Sequence, residues 1–98
     1  MEVRFAQSAF DDLETMMAWY ADEGVPEIGV KFAREIMTRV QRLSGHPDLG
    51  RMVPEFRQPH IREVIHPPFR VVYWREADVL TVVRVWRSER LLVLPVED

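Results

Sequence analysis

No cysteine occurs in these 98 residues, which excludes disulfide staples, thiolate metal sites and a cysteine nucleophile and permits a reducing compartment. Lysine is nearly missing as well: Lys31 stands alone, and the rest of the basic charge is arginine. Arginine's planar fork suits bidentate contacts with carboxylate or phosphate and partly buried pairs, although GC-rich codon usage would give the same bias. No run of about eighteen uninterrupted apolar residues is present. The first residues, Met1-Glu2-Val3-Arg4-Phe5, lack the basic-then-apolar order of a secretion signal. A cytoplasmic protein with no membrane partner is expected. There is no glycine-rich phosphate loop, no His-Glu-x-x-His and no pair of metal-binding residues at a recognised spacing, so neither cofactor nor metal is expected. The imidazoles are His46, His60 and His66. Nothing in the sequence places a second titratable group beside any of them, as acid–base catalysis would need.

What is present suffices for one compact domain and is too little for two, so residues 1–98 are expected to form a single domain. Thirteen basic against sixteen acidic residues give a formal charge of -3. That balance argues against general affinity for phosphate backbones, and no direct sequence-specific DNA binding by this chain alone is expected. The average hides an asymmetry. Between Arg51 and Arg90 arginines outnumber acids, while the first half and the extreme C-terminus carry most of the acid. Any anion-facing or partner-facing surface therefore belongs to the second half.

Two helical periods come first. Ser8 can cap a helix over roughly residues 8–22, with Asp11 three residues on and Phe10, Leu13, Met17 and Tyr20 as its apolar stripe, Met16 beside them. Asp22-Glu23-Gly24 breaks it. Pro26 fits the first turn of a second helix whose stripe is Ile28, Phe32, Ala33, Ile36, Val40 and Leu43, ending at Gly45 before Pro47. The short link demands an antiparallel helical hairpin.

Residues 47–59 have no regular period and read as an irregular connection. Ile61 to His66, Phe69 to Trp74 and Val79 to Trp86 then read as strands, the last two antiparallel across Glu76-Ala77-Asp78, and Val3 to Phe5 adds a candidate edge strand. The expected fold is α+β, an N-terminal antiparallel helical hairpin packed on a small, mainly antiparallel sheet.

Ser8 and Ser44 read as a helix cap and a helix end rather than nucleophiles. More informative are Gly50-Arg51-Met52-Val53-Pro54-Glu55, Ile61-Arg62-Glu63-Val64, Phe69-Arg70-Val71-Val72-Tyr73 and Val83-Arg84-Val85-Trp86-Arg87-Ser88-Glu89-Arg90. These four pieces, in this order behind a helical hairpin, resemble the ParE/RelE superfamily, toxins of bacterial type II toxin–antitoxin and plasmid-stabilisation systems. The resemblance covers nearly the whole chain. It offers a functional surface of Arg51, Glu55, Arg62, Arg70, Arg84, Arg87 and Arg90; the alternative is that Arg51, Glu55, Arg62 and Glu63 form ion pairs bracing the irregular connection against the sheet.

The resemblance implies one of two activities. Members similar to RelE cleave messenger RNA in the ribosome, using basic residues from the sheet on the scissile phosphate and a C-terminal Tyr or His for proton transfer. Arg70 matches such an arginine, with Arg84, Arg87 or Arg90 in electrostatic support. Ile61 and Glu63 stand where lysines would help, however, and Leu91 to Val96 contains neither Tyr nor His; Tyr73 lies inside a strand and reads as a packed aromatic. Members resembling ParE inhibit DNA gyrase and need a surface rather than a catalytic group. The reading favoured is therefore a ParE-like gyrase inhibitor neutralised by a cognate antitoxin. The ribosome and mRNA are the alternative target, and an inactive member kept for complex formation is a third reading. Leu91, Leu92 and Leu94 are the candidate antitoxin-binding residues, unless they cover the sheet within the monomer. Arg70→Ala is expected to leave the fold intact.

Overall fold

The computed structural model describes residues 1–88 and 94–95. Along the chain run β1 (Glu2–Phe5), α1 (Gln7–Asp22), α2 (Pro26–Leu43), β2 (Arg51–Met52), β3 (Ile61–His66), β4 (Phe69–Arg75) and β5 (Val79–Arg87). The sheet has the order β1-β5-β4-β3-β2. β2, β3, β4 and β5 pair antiparallel, and β1 lies parallel to β5, so the α+β expectation holds with a mixed sheet of five strands.

The hairpin forms where the breakers predicted it. Gly24 takes φ 82°, open to glycine without a Cβ penalty. The Val25 N–H then returns to Tyr20 O at 2.9 Å, and Pro26 begins α2 where its missing N–H costs nothing. The two helices approach at Gly29, where a Cβ would lie 3.1 Å from the Met17 Cα.

Four local expectations change. Ser8 does not cap α1: the chain enters the helix at Ala6 without a side-chain cap, and the Ser8 hydroxyl donates to Val83 O at 2.6 Å. The buried face of α1 is Ala9, Leu13 and Met16, with Tyr20 half-buried, whereas Phe10 and Met17 are exposed. In α2 the stripe holds from Phe32 to Leu43, but Ile28 is exposed. The irregular connection also contains the short strand β2, which pairs Arg51 with Glu63 and Met52 with Arg62.

Alternation along β4 divides the core into two layers. Phe69, Val71 and Tyr73 join Leu80, Val82 and Val85 beneath Ile36, Val40 and Leu43 of α2 and the buried face of α1. On the opposite side Val72 packs with Ile61, Val83 and Val53 of the connection, bordered by Phe56, Trp74, Trp86 and Leu94. Val72 pairs with Arg84 but Tyr73 with Val82, so Val83 is the extra residue of a β-bulge.

Candidate functional site

Four of the residues singled out from sequence meet around Glu63. Its carboxylate is fully buried, and it accepts from Arg70 Nε at 2.6 Å and Arg51 Nε at 2.8 Å. Arg70 turns its other two nitrogens to Glu55, at 2.6 and 2.9 Å. Register explains the meeting: β3 sets Glu63 opposite Arg51 on β2, and Glu55 reaches back from the connection over the Arg70 of β4. A lone carboxylate in the position of Glu63 would cost several kcal/mol in desolvation; two guanidinium groups offset it.

The network is electrically closed. Two arginines face two glutamates, and the bidentate Arg70–Glu55 pair spends the fork that a phosphate would otherwise use. The Arg70 guanidinium holds the Glu55 carboxyl below its ordinary value, chiefly by hydrogen bonding, against the opposing effect of burial. Hydrogen bonds donated to Glu55, and then those to Glu63, push the Arg70 pKa up despite desolvation. Since the Arg70 side chain is only 9% exposed and braces two glutamates, the expectation that Arg70→Ala spares the fold is replaced by one of destabilisation.

Arg62 lies apart from this cluster. It donates to Pro59 O and Gly50 O, both at 2.9 Å, and its Nε is 3.5 Å from Asp48, so it fastens the two ends of the connection. Beneath it the Tyr73 hydroxyl donates to Pro47 O at 2.8 Å and accepts from Gly50 N at 2.9 Å. Burial pushes the Tyr73 phenol up. This buried, doubly bonded ring is a packed aromatic.

A second constellation closes the β5 edge. β1 accompanies β5 only as far as Val82. Beyond it α1 supplies side chains: Ser8 takes Val83 O, and Asp12 Oδ2 accepts the Val85 N–H at 2.9 Å. Asp12 also holds Arg84 in a bidentate pair at 2.7 and 2.8 Å, and the Arg84 guanidinium lies 4.1 Å above the Trp86 ring. Where this closure ends, a groove of about 340 Å³ opens between α1 and the end of β5. Met16, Trp19, Tyr20, Phe69, Val85 and Trp86 give it apolar walls, with Asp12, Thr15 and Arg87 at its polar margin. Arg87 stacks its guanidinium 5.8 Å from the Phe69 ring centre.

Arg90, Leu91 and Leu92 lie outside the described residues. Leu94 is half-buried and packs on the layer opposite the helices, against its own chain. His66 sits between α2 side chains, with Arg39 Nε donating to Nδ1 at 2.9 Å and Glu35 Oε1 3.1 Å from Nε2, a pairing the sequence did not reveal. Asp12 and Trp19 were also missed. The signal for Trp19 was present, since a tryptophan off the helical stripe beside Tyr20 has no reason to be buried by α1 itself. Among the described residues no group of three or more His, Cys, Asp or Glu is arranged to hold a metal, and no helix is long and apolar enough to cross a membrane.

Known proteins resemble this arrangement. A family model described as the ParE toxin of type II toxin-antitoxin system, parDE, matches residues 3–92. The solved structure of a chromosomal ParDE TA system from P. aeruginosa contains a chain of the same fold, with a TM-score of 0.76 and 22% identity. That alignment covers 91% of this chain and 97% of the other. No curated protein matches.

Proposed function

Because the chain belongs to the ParE toxin family of type II toxin–antitoxin systems, we propose that it inhibits DNA gyrase by surface contact and is neutralised by a cognate antitoxin. The observation that carries this reading is the state of Arg70. An RNA-cleaving site of the RelE kind needs an uncommitted cation against the scissile phosphate. Here the arginine in that position spends Nε on Glu63 and its fork on Glu55, within a network of no net charge. Phosphate could enter only by displacing a carboxylate already held at hydrogen-bond distance. A ParE-like inhibitor has no such requirement, because it needs a complementary surface and no proton transfer of its own.

The family pairs toxin with antitoxin, so an antitoxin partner follows from membership. Neutralisation by a segment that orders on contact is part of the proposal. Tightly controlled expression tests it. Arrested cells should show a DNA-damage response with messenger RNA intact, relieved by the product of the adjoining reading frame. Cut messenger RNA without DNA damage, abolished by a substitution at Arg70 that leaves the chain folded, would establish the RelE-like endoribonuclease in its place.

A further inference from the structure

We propose that the outer edge of β1 pairs with the same edge of a second copy of this chain, antiparallel and centred on Val3, so that two five-stranded sheets join into one. This contact concerns how the chain meets itself and does not depend on its target.

Backbone phase is the first argument. β1 ends the sheet order, with β5 on one side and no described strand on the other. The N–H groups of Glu2 and Ala6 donate to Asp78 O and Val82 O, at 3.0 and 2.9 Å. The period of two along a strand therefore turns Arg4 toward β5 as well, and turns the N–H and C=O of Val3 and Phe5 outward. Two-fold pairing about Val3 lets each Val3 N–H reach the Val3 carbonyl of the other copy. It also sets Met1 of one copy opposite Phe5 of the other in the next hydrogen-bonded position.

Charge selects the same register. Val3 and Phe5 pack under the helices, so Glu2 and Arg4 share the opposite face, where both are exposed and pair with each other at 2.9 Å. Centred on Val3, Glu2 of each copy lies opposite Arg4 of the other, in the close non-hydrogen-bonded position where cross-strand side chains interact best. Centring on Glu2 or on Arg4 would put like charge beside like, and a one-residue slip would set outward groups against inward ones. An edge guarded by charge of one sign repels a copy of itself in every register. One acid and one base two residues apart leave this register attractive.

Apolar surface is the third argument. Phe5 stacks on Phe10 with ring centres 5.3 Å apart, yet Phe10 is 49% exposed and Met1 41%. The Val3-centred register brings Met1 of one copy to the Phe5–Phe10 stack of the other, so this surface is covered as the strands pair. Pairing uses the β1 edge of both copies, and the assembly closes at two. Four residues a strand make a small interface, so the dimer is a weak one.

Sedimentation of the full chain from about 10 µM to 1 mM, a range suited to an interface below the standard size, should show monomer passing to dimer. Arg4→Glu and Glu2→Arg should each weaken self-association about tenfold or more, because each sets like charges across the two-fold axis. Both fold, since an exposed ion pair contributes little to stability, and thermal unfolding checks it. Mixed in equal amounts, the two variants should associate again, because the doubly acidic strand of one then faces the doubly basic strand of the other. Amide exchange adds a readout without substitution: Val3 and Phe5 should exchange fast in dilute wild-type protein and gain protection when it is concentrated. A wild-type chain monomeric throughout, association that both variants leave unchanged, or a mixture no tighter than its components would each overturn the proposal. So would protection of Val3 and Phe5 that does not vary with concentration, which would assign the edge to the chain's own residues. Protection that comes only with the product of the adjoining reading frame would assign it to the antitoxin and overturn the proposal equally.

Discussion

Arg70 meets Glu55 fork to fork, with two guanidinium nitrogens 2.6 and 2.9 Å from the two carboxylate oxygens, while its Nε holds the buried Glu63. Removing Arg70 therefore leaves the buried Glu63 carboxylate with Arg51 alone and takes the bidentate partner from the partly exposed Glu55, so Arg70→Ala should destabilise the fold by about 3 kcal/mol. Arg70→Lys should recover only part of this, because an ammonium cannot serve both glutamates in the same geometry. Urea unfolding of the three proteins measures it; an Arg70→Ala variant as stable as wild type would remove the bracing role.

The same pair gives acid sensitivity with a definite sign. Glu55 has its pKa lowered in the folded chain, so its contribution is present above the unfolded value, near 4.5, and is lost as pH falls through the lower folded value. Glu55→Gln should thus be less stable than wild type near neutrality, and the gap should close below pH 4.5. Parallel denaturation curves across that range test the pairing; a gap independent of pH would show that the carboxylate's charge contributes nothing.

Gly50 is fixed by space. A Cβ there would lie 2.6 Å from both Glu63 O and the Tyr73 hydroxyl. Gly50→Ala should cost about 1–3 kcal/mol through overpacking. Tyr73→Phe should cost a similar amount by leaving the Gly50 N–H without its acceptor. Combining them should give less than the sum, because removing the hydroxyl also removes part of the clash. Strict additivity in chemical unfolding would contradict this geometry.

Asp12 gathers three donors, two from Arg84 and the Val85 N–H, and so ties α1 to the β5 edge. Asp12→Ala should destabilise by about 2 kcal/mol, with amide exchange quickening first at Val85. Uniform acceleration through the whole sheet would show that the closure is not local.

Much of the architecture was legible in the sequence because it depends on local chemistry. Gly24, Pro26 and the periodicity from Phe32 to Leu43 specify the second helix, and β-branched alternation specifies β3, β4 and β5. The phase of α1 was not legible, since Ala9, Phe10, Leu13, Met16, Met17, Trp19 and Tyr20 put apolar residues around most of the helix. Only the sheet decides that small Ala9 faces inward and Phe10 does not. Ser8 was misread for a related reason: its hydroxyl serves Val83, a partner 75 residues away that local capping patterns do not contain. β2 escaped because two residues have no period.

The site was legible in its membership and less so in its wiring. The bracing alternative grouped Arg51, Glu55, Arg62 and Glu63; the structure brings Arg51, Glu55 and Glu63 together, with Arg70 rather than Arg62 as the second cation. Arg62 belongs instead with Gly50, Pro59 and Asp48, a sorting set by strand register. The groove combines residues of α1, β4 and β5, and no linear pattern announces it.

Purified components put the proposed contact with gyrase to the test. The wild-type chain, gyrase and supercoiled plasmid, incubated with ATP and then denatured, should yield linear DNA from trapped cleavage complexes, and the product of the adjoining reading frame should suppress it. Intact supercoiled plasmid at every toxin concentration, alongside messenger RNA cut when the same preparation is added to translating ribosomes, would rule out gyrase as the target.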